Sequence, residues 1–213
     1  MNDLPGILVV LSGPSGVGKT TVAERLIEKG GYVRSISVTT RECRPKEDGR
    51  MEVDGVDYHF ISMEEFERLR DGDELVEYAR VHGEWYGTPK QPLREALRAH
   101  EAYLLVIDVH GGGQIRGHGL NSLMVFLAPP DLNELRRRLE GRKTESEEQQ
   151  TMRLQRVDME MKKASEIYNH IVVNKDLGTC VEEVHALVLE ARRKLKEKQD
   201  AGETLYPGLG LNS

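Results

Sequence analysis

The sequence predicts an α/β fold, a parallel sheet flanked by helices, because apolar runs alternate with helical segments along the chain. Residues 7–11 form a continuous apolar run, rich in β-branched side chains, that ends at a glycine-rich turn. Such a run is typical of a strand buried on both faces of a parallel sheet. Similar runs at 103–107, 123–127 and 171–173 predict further strands of the same sheet. Helical segments between them, notably 92–100 and 132–139, complete the alternating order.

The first helix should follow the first strand directly. Apolar side chains recur at helical spacing after the turn and stop at a glycine pair, as Val22, Ala23, Leu26, Ile27, Gly30 and Gly31 show. Strand, turn and helix therefore occupy about the first thirty residues. We assign the core of the fold to residues 4–34, 89–131 and 164–199.

Residues 35–88 predict a small, mostly antiparallel insertion into this core. Short alternating stretches at 35–39, 56–61 and 75–81 are separated by the turn signals Asp48-Gly49, Asp54-Gly55 and His82-Gly83. A second segment, 132–163, is dense in charge and helical in pattern, which is typical of a solvated helical face.

The C-terminal part predicts one long helix and a loose end. Apolar residues form a single stripe over about 181–199, namely Val181, Val184, Val188 and Leu195. Residues 200–213 lose both charge and periodicity, so we expect a flexible tail. The whole chain, 1–213, should form a single domain.

Composition narrows the function classes. Hydrophobic residues make up 38% and charged residues 31%, and the net charge of −6 is unfavourable for binding nucleic acid. No apolar run has the length of about 20 residues that crosses a bilayer. The first residues lack the pattern of a secretory signal and the two cysteines make no disulfide framework, so we expect a cytoplasmic protein.

One motif identifies a phosphate-binding loop. The run Gly13-Pro14-Ser15-Gly16-Val17-Gly18-Lys19-Thr20, followed by Thr21, matches the P-loop pattern and lies between the predicted strand and helix. Its backbone N–H groups and the helix N-terminus would surround the phosphates of ATP. Lys19 would reach the β- and γ-phosphates, and the Thr20 hydroxyl would bind Mg²⁺.

Asp108 follows the buried run 103–107, at the sheet edge where ligands bind in open α/β folds. Two interpretations remain open. Its carboxylate could face Mg²⁺ through a water or a second substrate, or it could only cap the residues after it. The glycine-rich stretch that follows, including His110 and His118, is expected to be a loop.

The insertion resembles guanylate kinase. The similarity rests on Ser37-Val38-Thr39-Thr40-Arg41-Glu42-Cys43-Arg44-Pro45, Gly55-Val56-Asp57-Tyr58-His59-Phe60, Glu77-Tyr78-Ala79 and Gly83-Glu84-Trp85-Tyr86-Gly87-Thr88-Pro89, and extends over about 7–189. It implies a P-loop kinase fold with a nucleotide-binding insertion and a helical lid over 132–163. It also implies the reaction ATP + GMP ⇌ ADP + GDP with Mg²⁺ as cofactor. The expected partners are ATP and GMP, with no nucleic acid or membrane, in a monomer or small homo-oligomer.

The resemblance assigns the GMP site, and the side chains suit it chemically. Arg41 and Arg44 offer planar forks for the phosphate, and the phenols of Tyr58 and Tyr86 can add donors. Guanine presents N1–H and N2–H₂ donors, which a carboxylate such as Glu77 can accept. The hydroxyls of Ser37 and Thr88 would donate to O6, and Asp108 would complete the site.

The resemblance also assigns residues outside the insertion. Arg138, Arg142 and Arg153 match the family's lid arginines, which close over the transferring phosphoryl group, and Asn174 matches a residue near the adenine of ATP.

The two cysteines should differ in reactivity. Cys43, between two arginines, should be the more reactive cysteine, and Cys180 the more sheltered.

Other interpretations remain open. Taken singly, the arginines could be solvated loop charges, the tyrosines half-buried strand aromatics and Glu77 an exposed strand acid. The whole chain could also be a related P-loop kinase for a sugar phosphate, or a noncatalytic guanylate-kinase-like binding module.

Overall fold

The computed structural model describes residues 3–46, 49–81, 83–131, 157 and 159–211. Its elements, in chain order, are β1 (Ile7–Ser12), α1 (Lys19–Glu28), β2 (Tyr32–Arg34), β3 (Val38–Thr39), β4 (His59–Phe60), α2 (Met63–Asp71), β5 (Leu75–Val81), β6 (Glu84–Pro89), α3 (Lys90–Arg98), β7 (Ala102–Val106), α4 (Val109–Gly117), β8 (Ser122–Ala128), α5 (159–167), β9 (His170–Val173) and α6 (Leu177–Asp200).

A five-stranded sheet in the order β2-β7-β1-β8-β9 forms the centre of the molecule. Every neighbouring pair in it is parallel, and all six residues of β1 are buried. The predicted fold class and its four predicted strands are confirmed. The edge strand β2 was not predicted, because three residues are too few to show a period. The predicted helix at 132–139 and most of the predicted lid lie outside the described residues.

A second sheet, in the order β4-β3-β6-β5, is built from the insertion. Its β3–β6 and β5–β6 pairs are antiparallel and its β3–β4 pair is parallel, in agreement with a mostly antiparallel insertion. Helix α2 packs against this sheet through Phe66, which is fully buried beside Val38 and Leu75. Helix α2 was not predicted from the sequence, although the Ser62 hydroxyl accepts from the Glu65 N–H and marks its start.

The glycine-rich stretch after Asp108 is helix α4, so the expected loop is wrong. The Asp108 carboxylate caps the helix by accepting from the Gly111 N–H at 2.9 Å. Val109 and Ile115 anchor α4 in the core. Glycines lower helix propensity, but the cap and this apolar packing outweigh that preference here.

The C-terminal helix is longer than predicted, and its apolar stripe is buried as expected. The tail after it is not frayed over residues 201–211, so that expectation is wrong. Tyr206 and Leu209 are buried, the Tyr206 hydroxyl donates to the Gly6 carbonyl at 2.8 Å, and Arg94 Nε donates to the Leu209 carbonyl at 2.7 Å. Apolar anchors without a regular period hold the tail, which a search for periodicity does not detect.

Among the described residues, no helix combines the length and the apolar character that crossing a bilayer requires.

Candidate active site

The P-loop leaves the carboxyl end of β1 and leads directly into α1. Gly13 adopts φ 150°, and a Cβ at this position would lie 2.4 Å from the Leu127 carbonyl oxygen. Only glycine fits there, because the loop passes against the backbone of β8. Gly18 precedes the helix in a left-handed conformation, so the first N–H groups of α1 are left for a ligand.

Lys19 folds back over the loop that precedes it. Its Nζ donates to the Gly13 carbonyl at 2.7 Å and to the Pro14 carbonyl at 3.0 Å. Burial lowers the pKa of Lys19, while the carboxylates of Glu160 and Asp108 act in the opposite direction. The ammonium is therefore held at the loop's mouth by groups that anionic oxygens can replace. The neighbouring Thr20 and Thr21 are exposed on the first turn of α1.

A cavity of about 260 Å³ separates this loop from the insertion sheet. Its lining comprises Thr20, Arg34, Ser35, Ser37, Asp57, Tyr58, Glu77, Ala79, Val81, Tyr86, Val106, Ile107 and Asp108. Six of the predicted residues are thus brought together: Thr20, Ser37, Tyr58, Glu77, Tyr86 and Asp108. Residues assigned to the donor nucleotide and to the acceptor nucleotide share one space. Arg34, Ser35 and Asp57 also line it and were not selected from the sequence.

Glu77 is a buried acid, so its interpretation as an exposed strand residue is wrong. Glu77 is only 6% exposed, and the Thr88 hydroxyl donates to Glu77 Oε1 at 2.6 Å. Burial raises the pKa of the Glu77 carboxyl, and the Thr88 hydrogen bond partly opposes that rise. Thr88 is fully buried and faces Glu77, as their pairing across β5 and β6 dictates. Its hydroxyl therefore orients the carboxylate, and its predicted contact with the base stays a prediction.

Arg41 is held in place by Glu52, which was not selected from the sequence. Its Nη1 and Nη2 donate to the two carboxylate oxygens of Glu52 at 2.7 and 2.8 Å, and its Nε donates to the Tyr86 hydroxyl at 3.0 Å. The guanidinium also lies 5.2 Å from the ring centroid of Tyr58. The hydrogen bonds to Glu52 raise the pKa of Arg41 and lower that of Glu52. Arg44 is exposed, and its backbone N–H donates to Glu52 at 3.0 Å.

The interpretation of Arg41 as a solvated loop charge is therefore wrong, since the residue is only 6% exposed. Tyr58, directly before β4, and Tyr86, on β6, are half-buried and line the cavity, so their burial is compatible with the binding role, which stays a prediction. Asp108 caps α4 and also lines the cavity, so its capping role is compatible with its binding role, which stays a prediction as well.

Asn174 lies at the end of β9 and contacts the P-loop itself. Its Nδ2 donates to the Val17 carbonyl at 2.8 Å, and the residue is 5% exposed. This contact braces the loop from behind, next to Gly18. The predicted lid arginines, Arg138, Arg142 and Arg153, lie outside the described residues.

The comparisons with known proteins agree on one family. The sequence profile of the guanylate kinase family matches residues 6–191. The chain belongs to the guanylate kinase family.

Relatives in this family are similar over most of their length. The guanylate kinases of Agrobacterium fabrum and Rhizobium etli are 40% and 41% identical over 189 residues, which cover 88% of this chain and 83% of each relative. The crystal structure of guanylate kinase from Anaplasma phagocytophilum superposes with a TM-score of 0.69 at 31% identity, covering 89% of this chain and 88% of that one. This member of the family is therefore an enzyme, as predicted.

Proposed function

We propose that the protein transfers the γ-phosphoryl group of ATP to GMP, giving ADP and GDP, as a cytoplasmic enzyme of purine nucleotide metabolism. One observation carries the proposal: a single cavity joins Thr20 of an intact P-loop to Glu77, a buried carboxylate suited to guanine. A donor site and an acceptor site that share one space allow direct, in-line transfer between two nucleotides.

The donor half of the site is the P-loop. Backbone N–H groups of residues 13–20 surround the β- and γ-phosphates, and Lys19 exchanges its loop carbonyls for phosphate oxygens. Lys19 then neutralises the charge that develops on the leaving ADP. Asn174 contributes by keeping the loop in this shape.

The donor set at the cavity also suits Mg²⁺. Thr20 and Asp108 present oxygen ligands to the same space, and the described residues contain no cluster of three or more acidic, histidine or cysteine side chains for a metal. Mg²⁺ is commonly held by few protein oxygens together with waters and substrate phosphates, which matches this arrangement. Thr20 would hold the ion directly and Asp108 would hold it through a water, and the ion would supply charge neutralisation for the phosphates.

The acceptor half reads the base through Glu77. Its carboxylate accepts from N1–H and N2–H₂ of guanine, while the Ser37 hydroxyl, which lines the same cavity, donates to O6. Adenine has no donor at N1, so AMP would offer this buried carboxylate no hydrogen bond from the base edge that guanine uses. A site of this kind discriminates strongly between bases.

The acceptor phosphate is held by Arg41 and Arg44 together with the hydroxyls of Tyr58 and Tyr86. Four of the five N–H groups of Arg41 donate to Glu42, Glu52 and Tyr86, which fixes the guanidinium and leaves one N–H on Nη2 for the phosphate. The lid arginines Arg138, Arg142 and Arg153 then cover the transferring group and exclude water.

A coupled assay of ADP formation with different acceptors tests the proposal. We expect rapid turnover with GMP and at least about 100-fold lower kcat/KM with AMP, dTMP and ribose phosphates. Preference for a ribose phosphate would favour a sugar-phosphate kinase instead. GMP binding without turnover would favour a binding module.

A further inference from the structure

The side chain of Gln114, on α4, pairs with both main-chain polar groups of Tyr78, on β5. Its Nε2 donates to the Tyr78 carbonyl at 2.7 Å, and its Oε1 accepts from the Tyr78 N–H at 3.2 Å. Strand β5 lies at an edge of the insertion sheet, so the Gln114 amide takes the place that a further strand would occupy.

The same helix also touches the residue before Tyr78, which is Glu77. A Cβ built on Gly111, one turn before Gln114, would lie 3.0 Å from Glu77 Oε2. Helix α4 therefore approaches two successive residues of β5. The Gln114 side chain bonds to the main chain of Tyr78, and the backbone of Gly111 lies close to the Glu77 carboxylate. Because Val109 and Ile115 fix α4 in the core, these contacts tie the insertion sheet to the core at the acid that reads the base.

We propose that Gln114 is a positioning residue for base recognition: it holds β5 against α4 so that Glu77 keeps the place from which it accepts from guanine. The inference rests on the proposed function. Hydrogen bonds weaken steeply with distance, so a displacement of β5 by about 1 Å would weaken the contacts of Glu77 with the base.

One pair of nucleotides reports the position of Glu77 selectively. IMP has the N1–H and O6 of GMP but lacks the N2 amine. The ratio of kcat/KM for GMP to that for IMP therefore measures the contact between N2–H₂ and Glu77. A general loosening of the fold would lower both values together and leave their ratio unchanged.

The test compares wild type with Gln114→Met, which keeps the length of the side chain and removes both hydrogen bonds. We expect the GMP to IMP ratio to fall by about fivefold or more, equivalent to roughly 1 kcal/mol of lost hydrogen bonding. The loss should appear as a raised KM for GMP, with KM for ATP unchanged within about twofold. Gln114→Glu, which loses the donor and places a carboxylate against the Tyr78 carbonyl, should lower the ratio as well.

The matched control is Gln91→Met on α3, where the amide donates to Glu95 at 2.8 Å and the residue does not line the cavity as the described residues define it. Its ratio should equal that of wild type, and thermal unfolding of every variant shows that each is folded. If the Gln114 variants keep the wild-type ratio, or lower kcat/KM for GMP and for IMP by the same factor, the inference is overturned and the proposed function is not. Wild type that turns over neither GMP nor IMP overturns the proposed function and this inference with it, whereas wild type with equal kcat/KM for the two overturns the contact between Glu77 and N2–H₂ and so the inference alone.

Discussion

Replacing Glu77 by glutamine changes the hydrogen-bonding character of a buried group with little change of shape. The Thr88 hydroxyl, 2.6 Å from Glu77 Oε1, would continue to donate to the amide oxygen of the new side chain. That orientation directs the amide NH₂ of the new side chain toward the donors of guanine. GMP would then lose a hydrogen bond to a charged group, about 1.5–3 kcal/mol, and would face an unpaired donor.

The expected cost to GMP is about 2–4 kcal/mol, or roughly 30- to 1,000-fold in kcat/KM. AMP should lose much less, because its N1 is an acceptor that the amide can satisfy. The assay is steady-state ADP formation with each acceptor over a range of concentrations. A ratio of GMP to AMP activity equal to that of wild type would refute the assignment of Glu77 to the base.

The same variant, which should lower activity with GMP, should raise the stability of the folded protein. A raised pKa for Glu77 means that its ionised form destabilises the folded state, and increasingly so as the pH rises through that pKa. Glutamine carries no charge, so Glu77→Gln should unfold at a higher temperature than wild type at pH 8, and the difference should shrink as the pH falls. A variant that is less stable than wild type at pH 8 would show that Glu77 acts mainly as a structural hydrogen-bond partner.

Three further predictions concern separate parts of the molecule. Lys19→Ala should lower kcat by about 100-fold or more while calorimetry without ATP finds GMP affinity unchanged, and weakened GMP binding would contradict the assignment of Lys19 to the donor phosphates. Tyr206→Phe should lower the free energy of unfolding by about 1 kcal/mol in urea titrations, since the buried Gly6 carbonyl loses its donor, whereas a frayed tail predicts no change. Iodoacetamide should label the exposed Cys43 before the buried Cys180, because burial raises the pKa of the Cys180 thiol to about 11, and GMP should slow the labelling of Cys43. Equal labelling rates of the two cysteines in peptide mapping would contradict this order.

The parts of the fold that sequence predicted are those with a strong local signal. The buried strands, the P-loop and helix α1 each show a continuous apolar run, a motif or a clear period. Helix α4 could not be found in this way, because its glycines oppose helix formation and its stability comes from the Asp108 cap and from packing in the core. The packing of Tyr206 in the tail is likewise a contact between distant parts of the chain.

In the candidate site, residue types were predictable but their partners were not. Glu52 is 11 residues from Arg41 in sequence, and their pairing depends on the course of the backbone between them. Thr88 meets Glu77 only in the observed register of β5 and β6, since a slip of one residue would move it to the opposite face. Gln114 reaches Tyr78 because a helix of the core packs against a strand of the insertion sheet, a relation that no local pattern shows.

Burial and charge at Glu77 connect the stability of the empty site to its specificity. An ionised carboxylate at this depth is unfavourable, and the Thr88 hydroxyl offsets only part of that penalty. In the proposed complex, guanine would supply further donors to Glu77, whereas a base without them would leave the penalty in place. The free energy of recognition would then include relief of an unfavourable state of the protein, and a more stable, uncharged side chain at this position would recognise guanine less well.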